Sequence, residues 1–236
     1  SATMSGRRLP IAEAIRLAQL TDSALPVGAF SFSNGLETAA QTGLVHDAAT
    51  LEEYTRDIVR QTARTDGIAA LHAYRSRLRE DYDGIVEADR ALMLCKMNAE
   101  ARQMLRRMGR KLAELATLLV DDAAMSRWLD DAKRGAVEGS YPVAQGILFA
   151  ACGIAERGLV ASHCYGSANM VLGAALRCVR VSHYDTQRIL YRLSGQADAI
   201  YDEISDMEID EMHAFAPQAD ILASMHEKGS SRMFMN

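Results

Sequence analysis

The chain has 236 residues, a hydrophobic fraction of 49%, a charged fraction of 24% and a formal net charge of −5. These values exclude a wholly disordered or fibrous chain and give no global electrostatic reason to bind nucleic acid or an anionic membrane. Scarce aromatics, plentiful Met and only four prolines suit packed helices better than a β-sandwich, so the expected fold class is all-α, a single compact helical-bundle domain with flexible N- and C-terminal tails.

Pro10 opens the first predicted helix, in which Ile11, Ala14, Ile15 and Ala18 share one face and which ends near Leu20. The loop "LPVGAFSFSNGLE" follows, from Leu25 to Glu37, apolar and almost uncharged. Asn34 with Glu37 reads as a capping box for a short helix that Gly43 stops, and Thr50 with Glu53 repeats that signal before Tyr54, Ile58 and Val59. Periodicity predicts further helices over about 67–79 and 84–95. Residues 101–119 give the clearest pattern. Ala101, Met104, Leu105, Met108, Leu112 and Leu115 form an apolar stripe, while Arg102, Arg106, Arg107, Arg110 and Lys111 occupy the other faces.

A weaker helix surrounds Trp128, and residues 135–142 read as a break. Residues 143–156 and 167–178 are rich in Ala and Gly and apolar nearly all round, the pattern of an enclosed core pair. Gly146, Gly153, Gly173 and Ala174 are expected to let helix axes approach closely. Ser182 with Asp185 caps a helix through Gln187, Ile189, Leu190 and Leu193, and an acidic stretch over 198–211 continues the helical pattern before Pro217. The apolar region 143–181 is split by Glu156 and Arg157 and interrupted by His163, Arg177 and Arg180, which leaves no stretch fit to span a bilayer. Cys95, Cys152, Cys164 and Cys178 lack CxxC spacing, and no N-terminal stretch reads as a secretory leader, so a cytoplasmic protein with reduced thiols is expected.

Chemistry is sparse. There is no P-loop, and Ser31 stands where a Gly-x-Ser-x-Gly elbow around Ser33 needs its first glycine. Ser230 stands where a zincin helix opened by His226 and Glu227 needs its second histidine. His163 and Cys164 are adjacent, so a metal site would need ligands from elsewhere, His183 among them. A buried thiol and a satisfied core histidine are the blander reading. The carboxylates Asp202, Glu203, Asp206 and Glu208 read as a solvated face, and the cluster 102–111 reads either as the wet side of a helix or as a docking surface for an acidic partner. Two features resist a bland account. Phe30 and Phe32 alternate with Ser31 and Ser33, sending both rings to one side of an extended loop. The tail "HEKGSSRMFMN" carries Met233, Phe234 and Met235 beyond a glycine and two serines, more apolar surface than a free end explains.

Together with "AEARQMLRRMGRKL", "YPVAQGILFAACGI" and "ALRCVRVSHYDTQRIL", the loop and the tail make the sequence resemble the urease accessory protein UreF over nearly its whole length. The resemblance implies an all-helical, non-enzymatic adaptor over residues 9–222 with a partner-binding tail over 223–236. By that resemblance it tends to dimerise and binds UreD (UreH in some organisms). The pair recruits the GTPase UreG, and the assembly inserts nickel into apo-urease. Nickel and GTP would then be handled by partner proteins, with no cofactor of this chain's own. It also assigns Pro26, Gly28, Phe30, Ser33, Gly35 and Glu37 to the signature loop, His226, Glu227, Ser231, Arg232 and Phe234 to the tail, and Arg177 to a basic position of the partner surface. The chain departs from the family pattern at Phe30, where some members have Tyr, around Arg180, where a proline turn is common, and at Asn236. A different class remains open, a helical metal-dependent enzyme using His163, Cys164 or His183, as does a weaker one, nucleic-acid binding through 102–111.

Overall fold

A computed structural model describes residues 8–28 and 35–214, and these residues form helices and no strand. In chain order they are α1 (Ile11–Thr21), α2 (Leu36–Gln41), α3 (Ala48–Thr62), a π-helical turn (Ala63–Gly67), α4 (Ile68–Leu78), α5 (Tyr82–Cys95), α6 (Ala99–Leu119), α7 (Ala123–Lys133), α8 (Tyr141–Ala151), α9 (Glu156–Cys178), α10 (His183–Ser194), α11 (Ala197–Ile204) and a 3₁₀ turn (Ile209–Ala214). They share one hydrophobic core, as the all-α reading requires. No helix among the described residues is long and apolar enough to cross a membrane.

The helix starts follow from side chains that accept the orphan N–H groups of a first turn. Asp47, not Thr50, caps α3: its carboxylate accepts from Thr50 N at 2.8 Å, and Thr50 returns a bond through its hydroxyl oxygen. Asp81, Asn98 and Asp122 cap α5, α6 and α7 in the same way. The Ser182–Asp185 capping box opens α10 as expected. Gly43, at φ +77°, stops α2, also as expected. For α2 the described N-cap is Gly35, without a side-chain cap, and Asn34 lies outside the described residues.

Burial confirms the stripe of α6, with Leu115 at its partly buried margin. Trp128 is fully enclosed. Two expectations change. First, α8 packs chiefly on α4 and α6, and α9 chiefly on α3, so the apolar pair is not a mutual one. Moreover α9 runs unbroken from Glu156, a segment whose first half its polar His163 and Ser162 had masked in the sequence. The glycines divide accordingly. A Cβ on Gly146 would lie 2.4 Å from the Ala70 carbonyl oxygen on α4, a true close approach, whereas one on Gly173 meets nothing within 4 Å, and Gly153 serves a left-handed turn.

Second, Ile11 and Ile15 of α1 are 80% and 63% exposed. The helix leans on α9 through Leu17 and Leu20 instead. Its register is fixed by polar contacts: Glu13 accepts the backbone N–H of Ala155 at 2.8 Å, and Arg16 donates to the Cys152 carbonyl at 3.0 Å. Glu13 thereby supplies, from another element, an acceptor at the N-terminus of α9, whose own N-cap Ala155 has no side-chain oxygen.

Candidate functional site

The signature loop leaves α1 at Asp22, whose carboxylate accepts from Ala24 N at 2.8 Å and turns the chain. Leu25 and Val27 are buried and Pro26 is exposed. Gly28 at φ +77° and Gly35 at φ +78° stand at the two borders of residues 29–34, both in the left-handed region where a side chain is strained. At Gly28 the Lys111 ammonium of α6 sits 3.4 Å from where a Cβ would be, which seats the loop against the basic face of that helix. Phe30 and Ser33 lie outside the described residues, as do His226, Glu227, Ser231, Arg232 and Phe234 of the tail and the domain boundary at 222/223.

Glu37 falls in the first turn of α2 and Arg177 in the last turn of α9, each at the helix end whose dipole its charge complements. The two come together around Cys178. Its thiol is pushed up mainly by burial and further by the Glu37 carboxylate, and Arg177 pulls it back. Arg177 is exposed and makes no ion pair among the described residues. Of the residues that the family resemblance singles out, the structure brings Glu37 and Arg177 together at Cys178, where α2 packs on α9, and seats Gly28 against α6.

Beside them lies a cavity of about 420 Å³, bounded by the end of α1 and by α6, α8 and α9, with Arg177 among its walls. Its lining is mixed: Leu20, Val27, Met104 and Met108 are apolar, while Asp22, Asp66, Gln145 and His163 join Arg177 as its polar and charged members. Gln145 is only 4% exposed, yet its amide has no hydrogen-bond partner among the described residues, and neither has Nε2 of His163. Burial lowers the basicity of that imidazole; the Asp66 carboxylate and a backbone hydrogen bond to Thr62 oppose the shift, and Lys96 reinforces it. Asp66 itself projects from the π-helical turn to pair with Lys96 at 2.7 Å. Such turns are frequently found at functional sites. Sequence reading missed this cavity, and its one available signal was Gln145, a lone polar side chain in the otherwise apolar "YPVAQGILFAA".

The residues of the metal-enzyme reading are dispersed. His163 and Cys164 are both buried on α9, and burial pushes the Cys164 thiol up to about 11, away from the thiolate that a metal requires. His183 is exposed at the start of α10, beyond the end of α9, itself about 22 Å along the axis from His163. Among the described residues no group of three or more His, Cys, Asp and Glu side chains is placed to hold a metal ion. Across 102–111 the cations are partly engaged within the fold: Arg106 pairs with Glu138 at 2.5 Å, Arg102 donates to the Lys96 carbonyl at 2.5 Å, and Arg110 donates to that of Ala132 at 3.3 Å.

A family model described as UreF matches residues 45–194. The chain is 44% identical over 222 residues to a urease accessory protein UreF of Yersinia pseudotuberculosis serotype IB, covering 94% of this chain and 97% of that protein. The same identity and coverage hold for a UreF of Yersinia pestis. A urease accessory protein UreF 2 of Brucella canis is 46% identical over 222 residues, covering 94% of this chain and 91% of its own. With a family model matched over residues 45–194 of this all-helical chain, and with relatives at 44–46% identity matched along nearly their full length, the chain belongs to the urease accessory protein UreF family.

Proposed function

We propose that this chain is a non-catalytic adaptor, working in the cytoplasm as a dimer, that joins UreD (or UreH) to the GTPase UreG and regulates GTP-dependent nickel insertion into apo-urease. Nickel is cargo, and GTP is bound and hydrolysed by the partner. The observation that carries this reading is the exposed Arg177, which makes no ion pair among the described residues, a guanidinium with five donors and no acceptor of its own on a chain whose relatives are named as urease accessory proteins. The exposed face of α1 supports it. Ile11 and Ile15, with Leu9 just before the helix, are exposed apolar side chains, and adjoining apolar side chains of that size mark interaction surfaces.

Arg232 in the tail is assigned the same kind of role, a bidentate donor to a partner carboxylate or backbone oxygens. The test is co-expression with UreD, UreG and apo-urease, scoring complex formation and the nickel content of urease. Arg177→Ala and Arg232→Ala are each expected to reduce capture of UreG while the thermal midpoint of the isolated chain stays within a degree or two. Unchanged capture and full nickel loading in both variants would remove the adaptor role from these residues. Failure of the unaltered chain to assemble with either accessory protein would remove it from the chain.

A further inference from the structure

The outward face of α6 runs against the charge pattern that stabilises a solvated helix. Arg106 stands one turn from both Arg102 and Arg110, and Arg107 one turn from Lys111, so cations meet cations at the spacing where opposite charges stabilise a helix and like charges destabilise it. The helix dipole does not account for them, because it favours cations in the last turn, and the last turn of α6 has none. Carboxylates on the adjoining elements are committed elsewhere: Glu138 pairs with Arg106, and Asp131 with Arg134 and the Tyr82 hydroxyl. Asp130 of α7 and Glu114 of α6 are exposed, and neither pairs with Arg110 or Lys111, which make no ion pair among the described residues. Arg110 donates to the neutral carbonyl of Ala132, and the Lys111 ammonium rests beside Gly28.

We infer that this face docks a protein partner that presents carboxylates to Arg110 and Lys111 and an apolar recess to Leu118. Arg107, Lys111, Glu114 and Leu118 recur at helical spacing and form one stripe, with Arg110 at its edge. Leu118, at the far end of that stripe, is 83% exposed. Charge complementarity selects an acidic surface, because a partner's carboxylates relieve a repulsion that the described residues leave standing. Leu118 and Glu114 select a protein over an anionic polymer. The leucine gains nothing from a phosphate backbone, Glu114 would meet that backbone with like charge, and a net charge of −5 repels a polyanion at distance. A protein surface can seat the leucine and set a donor against Glu114. The inference rests on the adaptor reading and adds to it the face that holds one partner and the charge that partner carries.

The test removes the charges and the leucine separately. Arg110→Gln/Lys111→Gln keeps two good helix formers and takes away the like-charge pairs with Arg106 and Arg107, so the thermal midpoint of the chain should hold or rise. Purified UreD, UreG and apo-urease are each titrated against the full chain. Affinity for one of the three should fall at least about tenfold in about 50 mM salt, and by a smaller factor in about 500 mM, where the charges are screened. Leu118→Ser should weaken the same partner by a factor that salt leaves nearly unchanged. A face that serves only to keep the helix wet predicts intact affinities, so three unchanged titrations of both variants overturn the docking face and leave the adaptor reading standing. A short DNA duplex that binds the unaltered chain and is lost on neutralisation, with the three protein titrations unchanged, also overturns it and hands the face to a polyanion. An unaltered chain that binds none of the three proteins overturns the docking face and the adaptor reading together.

Discussion

Gly146 on α8 and Gly166 on α9 are indistinguishable in sequence terms, each a glycine within a core-lining helix, and the structure uses them oppositely. Around Gly146 the space is spent: the Ala70 carbonyl and the Ala73 methyl lie 2.4 Å and 2.9 Å from any added carbon, and every residue of α8 from Pro142 to Ala150 is buried. Around Gly166 and Gly173 the space is open, and nearby Nε2 of His163 is buried without a partner among the described residues. A region in which each atom is matched specifies the fold; a region in which one imidazole nitrogen and a guanidinium have no partner among the described residues has room for further contacts. The comparison separates what the chain needs to stand from what it needs to work.

The sharpest way to break it is Gly146→Ala. In an exposed helix that change stabilises by about 1 kcal/mol, but here the added methyl must push α4 and α8 apart, and a net loss of about 3 kcal/mol is expected. Chemical denaturation measures it. A neutral result would mean that the α4–α8 contact yields cheaply and that the two regions do not differ.

Asp89 comes next. Its carboxylate, on α5, is 1% exposed and accepts from the backbone N–H groups of Gly139 and Ser140 at 2.9 and 3.0 Å, which fixes the entry of the chain into α8. Asp89→Ala leaves two buried donors unmatched and should cost about 2 to 3 kcal/mol, with Asp89→Asn intermediate because an amide retains one acceptor oxygen. Equal stability of all three chains would show that these N–H groups find water instead.

The same two regions show how far sequence reading reaches. The stripe of α6 and the Ser182–Asp185 cap were legible because both depend on neighbours three and four residues apart. Gly28 and Gly35 were placed in the signature loop by resemblance, and their left-handed φ angles emerge only from the structure. The partners of α8 and α9 were not legible, since an all-apolar helix carries no record of which neighbour covers which side. Asp89 and Gln145 illustrate a further limit. One is satisfied by a loop 50 residues away and the other is not satisfied by any described residue, a distinction that arises only after the chain has folded. On α1, periodicity identified Ile11 and Ile15 as one apolar face, and the fold buried its other side through Leu17 and Leu20.

Gly173→Ala, on the open side, should move stability the other way, a gain of about 0.5 to 1 kcal/mol, because the position is helical, exposed and unobstructed. A rise in the thermal midpoint with Gly173→Ala and a fall with Gly146→Ala, measured side by side, is the comparison in its simplest form. Loss of stability at both positions would mean that α9 is packed as tightly as α8.

His163 gives the finest measurement of how dry the cavity wall is. Burial depresses its folded-state basicity below the ordinary 6.5, with Lys96 acting in the same direction and Asp66 and the Thr62 carbonyl in the other. Above pH 6.5 the ring is neutral in folded and unfolded chains alike, and its contribution to stability is fully present. As pH falls below 6.5 the unfolded chain takes up a proton that the folded chain resists, so stability is lost progressively until the folded-state value is passed. The chain has six histidines, so the share of this one is isolated by subtraction against His163→Gln, which cannot be protonated. Urea midpoints at pH 7.5 and 5.5 should drop more for the unaltered chain than for the variant. Parallel drops would mean that the imidazolium is accommodated by Asp66 across the π-helical turn, in which case the wall beside Gln145 is wet and charge-tolerant.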